Sequence, residues 1–285
     1  MTNAYPLVID GRLVPGAAAL NVINPATGEL VSQCGRADEA QLEAAVESAK
    51  RAQPAWEAMG IEGRRKCLLA IVEDFASQTD EFARLLTAEQ GKPLQNSYEE
   101  MAVAQFVFNA FAQMELEAKV LHDDAARRVV EHRTALGVVA AITPWNFPLY
   151  ILLAKVGPAL LAGNTVVAKP APTTPLTSLK FGALCMRHLP AGVLNMIVDD
   201  NDLGSMLASH PSIAKVSFTG STATGRKIMA SGAATLKRIT LELGGNDAAI
   251  ILADADPKRI APALFWSAFY NAGQTCVAVK RVYAH

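Results

Sequence analysis

The sequence predicts an α/β fold, a parallel sheet with helices on both faces, from two observations. From Val129 onward, short β-branched runs alternate with stretches of helical spacing, the order that builds a parallel sheet with crossover helices. Hydrophobic residues make up 51% of the 285 positions against 19% charged, a balance that fills a large core and lies far from the disordered regime. One or two domains are expected at this length.

The elements follow in order. Asp10-Gly11 marks a hairpin turn near the start. Residues 38–56 carry helical spacing through Leu42, Ala45, Val46 and Ala49, with Asp38 placed to cap the helix. Further helical patterns cover about residues 61–88 and 96–117, so the first third is expected to be mostly helical. The alternating part then reads as strand TALGVVAAIT, helix PLYILLAKVGPALLAG, strand NTVVAK, helix TPLTSLKFGALCMRHL and strand VLNMIV. A short helix, strand KVSFTG, a helix from about Ser221, and strands KRITLEL and AAIIL complete the series, followed by a helical run from Ala261 to Tyr270.

Composition excludes several classes of function. The formal net charge is −1, so the chain carries no electrostatic footprint for nucleic acid or an acidic membrane. The most apolar segment, Pro148 to Gly163, is interrupted by Lys155, Gly157 and Pro158 and is too short for a membrane span. The N-terminal MTNAYPLVIDGRLVPG has no basic start leading into an apolar stretch, and a cytoplasmic protein is expected. Cys34, Cys67, Cys185 and Cys276 are far apart and form no C-x-x-C pair, and the five histidines show no ligand spacing, so neither a metal site nor a disulfide framework is expected. No internal repeat or low-complexity tract interrupts the chain.

In such sheets ligands bind beyond the carboxyl ends of the strands, and the chemistry is to be sought in the loops there. No two of the 19 glycines are separated by a single residue, so the fingerprint G-x-G-x-x-G is absent. GSTATG, residues 220–225, has the glycine spacing of a P-loop, but Arg226-Lys227 follows where Lys and then Ser or Thr are required. What remains is a strand turning into a helix at Ser221 and Thr222, whose free amides and hydroxyls suit a phosphate or serve as an ordinary cap.

Four further segments carry candidate chemistry. In LELGGN, residues 241–246, Ile239, Leu241 and Leu243 alternate onto one face and direct Glu242 to the other, where partial burial would suit a general base. In NAGQTC, residues 271–276, Cys276 sits among small and polar neighbours, the surroundings a reactive thiolate needs. TPWNFP, residues 143–148, is either a stiff turn or a rigid loop that aims the amide of Asn146 at a developing oxyanion. In AKPAP, residues 168–172, Lys169 stands at a strand end, as a solvated charge or within reach of a ribose or phosphate.

Taken together and in this order, TPWNFP, AKP, SFTGSTATG, LELGGN and GQTC resemble the aldehyde dehydrogenase superfamily over essentially the whole chain. The resemblance implies a Rossmann-like sheet in a cofactor-binding domain over residues 1–245, an oligomerisation hairpin near 117–135, and the start of a catalytic domain over 246–285. It implies oxidation of a small aldehyde to a carboxylic acid with NAD or NADP, in a homo-oligomer. Cys276 would attack the aldehyde, Asn146 and the Cys276 N–H would hold the oxyanion, and Glu242 would activate the water that releases the acid. For the cofactor it implies Lys169 at the adenosine ribose and Ser221 at the pyrophosphate, with Ile142, Thr143, Pro144, Trp145, Gly220, Thr224 and Leu243 around the dinucleotide.

Three departures accompany the resemblance. Pro172 stands where many relatives carry a ribose-binding glutamate, which leaves NAD and NADP equally open. VDDND, residues 198–202, replaces the usual glycines beside the adenine. The sequence stops at His285, soon after Cys276, so most of the catalytic domain is expected to be missing. The alternatives are a catalytically silent nucleotide-binding or interaction fragment and, disfavoured by Glu242, an enzyme that passes the acyl group to coenzyme A.

Overall fold

The computed structural model describes residues 5–285; the first four residues of the N-terminal segment considered above lie outside the described residues. Strands β1 (Leu7–Ile9) and β2 (Arg12–Val14) pair antiparallel about Asp10 and Gly11, whose φ angles of 55° and 67° form the left-handed two-residue turn that Asp-Gly favours. A second antiparallel hairpin, β3 (Ala18–Ile23) and β4 (Leu30–Arg36), was not expected. Most of β3 is exposed, so its sequence carries little of the alternation that marks a half-buried strand.

The helical third divides into α1 (Glu39–Ala58), α2 (Gly60–Ser77), α3 (Thr79–Gln90) and α4 (Leu94–Ala112). Asp38 closes a capping box at α1, accepting from the Gln41 amide at 2.8 Å while the Gln41 side chain accepts from the Asp38 amide at 3.4 Å. The pattern expected over 61–88 breaks at Gln78, where the Ser77 and Thr79 hydroxyls donate back to the carbonyls of Asp74 and Ala76. Helix α4 ends at Ala112 rather than near 117, and Arg65 pairs with Glu115 just beyond it. An exposed two-stranded ribbon follows, β5 (Lys119–Asp123) with β6 (Arg128–Glu131).

The alternating part matches the expected order: β7 (Val138–Ile142), α5 (Pro148–Leu161), β8 (Thr165–Lys169), α6 (Leu176–Cys185) and β9 (Leu194–Met196). Then come α7 (Gly204–Ser209), β10 (Ile213–Gly220), α8 (Thr222–Gly232) and β11 (Arg238–Leu243). The sheet order is β11-β10-β7-β8-β9-β1-β2. The strands from β11 to β9 are mutually parallel, and the first hairpin extends the sheet with two antiparallel strands that the sequence reading did not include. The chain moves outward from β7 to β9 and then returns to the other side of β7, so strand order reverses between β7 and β10.

Helices cover the two faces differently. On β8, Thr165 and Lys169 share a face by alternation; the Thr165 hydroxyl donates to Ala49 O of α1 at 2.8 Å, and Lys169 looks toward α7 and α8. Helices α5 and α6 pack against β7, β8 and β9, with α2, α3 and α4 stacked on them. Phe75, Phe82, Phe108 and Phe181 meet edge to face in that layer at centroid distances of 4.9 to 5.9 Å. No described helix is long and apolar enough to cross a membrane.

The last elements are β12 (Asp247–Ile251), α9 (Pro257–Phe269) and β13 (Val279–Ala284), with β12 and β13 parallel in a separate two-stranded sheet. Every residue of β7 and β8 is buried, but none of α9 is. Phe265, Trp266 and Phe269 lie open on α9.

Removing the α1 cap tests the local reading of that helix. Asp38→Ala is expected to cost about 1 kcal/mol, seen as a lower urea midpoint at unchanged slope.

Candidate active site at the strand ends

Parallel register gathers the sequence-predicted residues at one edge. Ile142 pairs with Lys169 on one side and Phe218 on the other, and Gly220 stands beside Leu243 on the neighbouring strand. Thr143 continues the edge, its amide donating to Lys169 O at 3.1 Å. Four separate stretches of sequence thus end along one edge, at the reversal of strand order.

A cleft of about 430 Å³ opens there on the α7–α8 side. Ile142, Lys169, Phe218 and Thr224 line it, together with Asn201, Gly204, Ser205, Lys227 and Ile228, which sequence reasoning missed. Ser221 caps α8, its hydroxyl oxygen accepting from the Thr224 amide at 3.2 Å. Gly225 lies so close to β11 that an added Cβ would meet Leu243 Cδ2 at 2.8 Å. The buried hydroxyl of Thr143 has no partner among the described residues. Lys169, expected to extend toward a ligand, is 5% exposed and forms a buried ion pair with Asp199.

The loop after β7 is held from below by a dry ion pair. Lys92 and Glu100 have fully buried side chains, with Nζ at 2.5 Å from Oε2. Glu100 Oε1 accepts from the amides of Leu149 and Tyr150 at 3.1 and 3.2 Å, satisfying two free N–H groups at the start of α5. Lys92 Nζ donates to Asn146 O at 2.8 Å and sits 4.0 Å from the centre of the Phe147 ring. Desolvation pushes the Lys92 ammonium down and the Glu100 carboxyl up, and the mutual contact opposes both shifts.

The segment before Cys276 is tied to the same loop. Asn271 Nδ2 donates to Asn146 O at 3.2 Å, and Asn146 Nδ2 donates to Gln274 O at 2.8 Å. Phe147 stacks on Tyr270 at 6.1 Å. Asn271 and Ala272 both hold positive φ, 52° and 57°, a conformation disfavoured for residues with a Cβ. From the third side an added Cβ on Gly245 would come within 3.7 Å of Cys276 O. The motifs TPWNFP, LELGGN and GQTC therefore meet, and Cys276 is exposed at the junction. Trp145 is exposed as well, and Pro144 is half-buried.

The Asn146 amide gives one of its hydrogens to the carbonyl of Gln274. One expectation needs correction. Glu242 is exposed, not partly buried, because it lies at the free edge strand. Its facing is as expected: Ile239, Leu241 and Leu243 pack toward α8, and Thr240 on the opposite face accepts from Lys215 Nζ at 2.6 Å.

On the face of Glu242 lies Lys155 of α5, which sequence reasoning did not assign to the site. Its Nζ is 3.1 Å from Ser217 Oγ, and burial lowers the ammonium to about 8 against the opposing pull of Glu242. A lysine in the most apolar segment of the chain was the available signal.

The folded lysine releases its proton near pH 8, while the unfolded one keeps it to the ordinary value of 10.5. Below that window the cost of burying the charge is constant; through it the unfolded state binds the extra proton, so stability rises with pH. Lys155→Met is expected to remove that rise, read as the pH dependence of the urea midpoint. Glu100→Leu, which leaves Lys92 buried and unpaired, is expected to cost about 3–5 kcal/mol in the same measurement.

Comparison with known proteins places this geometry. Residues 14–285 match the aldehyde dehydrogenase family. The chain is 40% identical over 284 residues to a Pseudomonas protein described as "Probable aldehyde dehydrogenase", covering 99% of this chain and 58% of that one. It is 39% identical over 273 residues to the succinate-semialdehyde dehydrogenase [NADP(+)] of Escherichia coli, covering 93% of this chain and 56% of the relative. The crystal structure of PnpE in complex with nicotinamide adenine dinucleotide, a Pseudomonas protein, superposes with a TM-score of 0.95 at 38% identity, covering 100% of this chain and 60% of that one. The chain thus spans somewhat under two thirds of the length of these relatives. Its sequence order, its strand-end cleft and its matched residues make this chain a member of the aldehyde dehydrogenase family.

Proposed function

We propose that this chain carries the cofactor cleft and the nucleophile of an NAD(P)-dependent oxidation of an aldehyde to a carboxylic acid. The observation that supports it most directly is the meeting of the Asn146 and Cys276 loops, cross-linked by hydrogen bonds at 2.8 and 3.2 Å, beside the strand carrying Glu242.

The donors available in the cleft fit a nicotinamide dinucleotide. The Thr143 hydroxyl, without a partner among the described residues, the capped start of α8 at Ser221 and Thr224, and the apolar walls from Ile142, Phe218 and Ile228, with Leu243 beside Gly220 at the same edge, offer polar and apolar surfaces of the right kind. Gly220, Pro144, Trp145 and Lys169 complete the set that would hold it. When bound, the nicotinamide supplies the acceptor for the hydride that the substrate carbon gives up.

The thiolate of Cys276 attacks the aldehyde carbon, a C–S bond forms and the carbonyl oxygen becomes an oxyanion. An amide nitrogen carries two hydrogens, and the one that Asn146 does not give to Gln274 is left for that oxygen, together with the backbone N–H of Cys276. Loss of hydride leaves a thioester on Cys276. Glu242 then takes a proton from water, the resulting hydroxide adds to the thioester carbon, and the C–S bond breaks to release the acid and the thiolate.

On this reading residues 1–245 form the cofactor-binding domain, the β5–β6 ribbon near 117–135 serves assembly into a homo-oligomer, and 246–285 begin the catalytic domain of a cytoplasmic enzyme. One observation favours a second reading, a nucleotide-binding fragment without turnover: Phe265, Trp266 and Phe269 are more than half exposed on α9.

Absorbance of reduced nicotinamide, followed with a panel of aldehydes, separates the two. Cys276→Ala is expected to abolish oxidation. Glu242→Gln is expected to give one burst of reduced cofactor and then stall at the thioester; steady turnover at the wild-type rate would remove Glu242 from the role of base. Cofactor binding without any turnover by the folded wild-type chain would establish the second reading.

A further inference from the structure

We propose that Asp199 sets the cofactor preference of the cleft, selecting a dinucleotide with a free adenosine 2′-hydroxyl over one that carries a 2′-phosphate. The inference rests on the reading of the cleft as a dinucleotide site.

Two ammonium groups line the cleft, Lys169 at the end of β8 and Lys227 on α8. Lys169 is already engaged: its side chain is 6% exposed and pairs with Asp199, whose side chain is fully buried. The second carboxylate oxygen of Asp199 accepts from the Leu203 amide at 2.8 Å, so the group is pinned at both ends and cannot swing away from Lys169. Arg36, a guanidinium close enough to feel the charge of Asp199, is tied to Asp202 at 2.6 Å.

The charge balance follows from this geometry. A phosphate group with a charge near −2 that recruits Lys169 must draw it from Asp199, leaving a buried carboxylate unpaired and facing a second anion. A hydroxyl meets no such conflict, since it carries no charge and leaves the buried Lys169–Asp199 pair intact. Pro172 supplies neither charge nor donor on the adjoining loop, which leaves Asp199, in the loop after β9, as the carboxylate paired with Lys169. The paired aspartates of VDDND thus divide the work: Asp199 is buried behind Lys169, which lines the cleft, and the backbone N–H of Asp200 donates to Asp202 at 3.1 Å to shape the turn.

Isothermal titration of the 285-residue chain with NAD⁺ and NADP⁺ tests this without turnover. The wild type is expected to bind NAD⁺ about tenfold more tightly or better. Asp199→Asn removes the negative charge but keeps an oxygen for Leu203, and it is expected to shift the ratio about tenfold toward NADP⁺, chiefly by tightening NADP⁺. If that variant does not fold, the wild type decides alone: 5′-AMP is expected to bind more tightly than adenosine 2′,5′-bisphosphate. Equal or stronger binding of NADP⁺ by the wild type, or an unchanged ratio in folded Asp199→Asn, overturns the proposal and leaves the dinucleotide reading standing. So does a ratio that moves in Lys227→Ala instead of Asp199→Asn. Failure of the wild type to bind either dinucleotide overturns the dinucleotide reading and this inference with it.

Discussion

A pair of opposite charges without access to water, Lys92 and Glu100, holds the strand-end loops in place. Each would be costly to bury alone. Together they are useful because every remaining valence is spent on a loop that the site needs: the carboxylate on the first amides of α5, the ammonium on the carbonyl of Asn146. The same carbonyl receives Asn271, so the positions of Asn146 and of the approach to Cys276 both derive from one buried point. A left-handed pair at Asn271 and Ala272 is tolerated because these bonds over-determine it.

The sheet provides the complementary constraint. Parallel pairing in unbroken register between β10 and β11, and between β7 and β8, brings residues far apart in sequence to a common level. The reversal of strand order then parts the loops so that a cleft opens between them. Packing, not intrinsic loop geometry, keeps α8 near enough to contribute its first turn: Gly225 and Gly232 let it settle onto Leu243 and Ile239 with no Cβ between.

The parts legible in the sequence are those governed by local rules. Asp38 announced a helix start and Asp10-Gly11 a turn, and the alternation of strands and helices from β7 onward followed from periodicity. The β3–β4 hairpin was hidden by exposure, and the break at Gln78 by side-chain hydroxyls that compete with the helix only in the right rotamer. At the candidate site, Asn146, Glu242 and Cys276 were singled out by residue type and neighbours. Their settings were not. Lys92 and Glu100 belong to no motif, and the Lys169–Asp199 pair joins the end of one strand to the loop after another; both depend on tertiary contacts with no local trace.

Strand β11 divides two environments with a period of two. Leucines and isoleucine face α8, while Thr240 and Glu242 face Lys215 and Lys155. An exchange of one side chain there alters one environment. A change in length does something else: one residue inserted before Glu242 would turn the carboxylate toward the apolar flank of α8 and send a leucine to the side of the lysines. This short segment is therefore open to substitution over evolutionary time but closed to insertion and deletion, and any variation in length among relatives has to be taken up on either side of it, in the loop before Arg238 or after the glycines at 244 and 245.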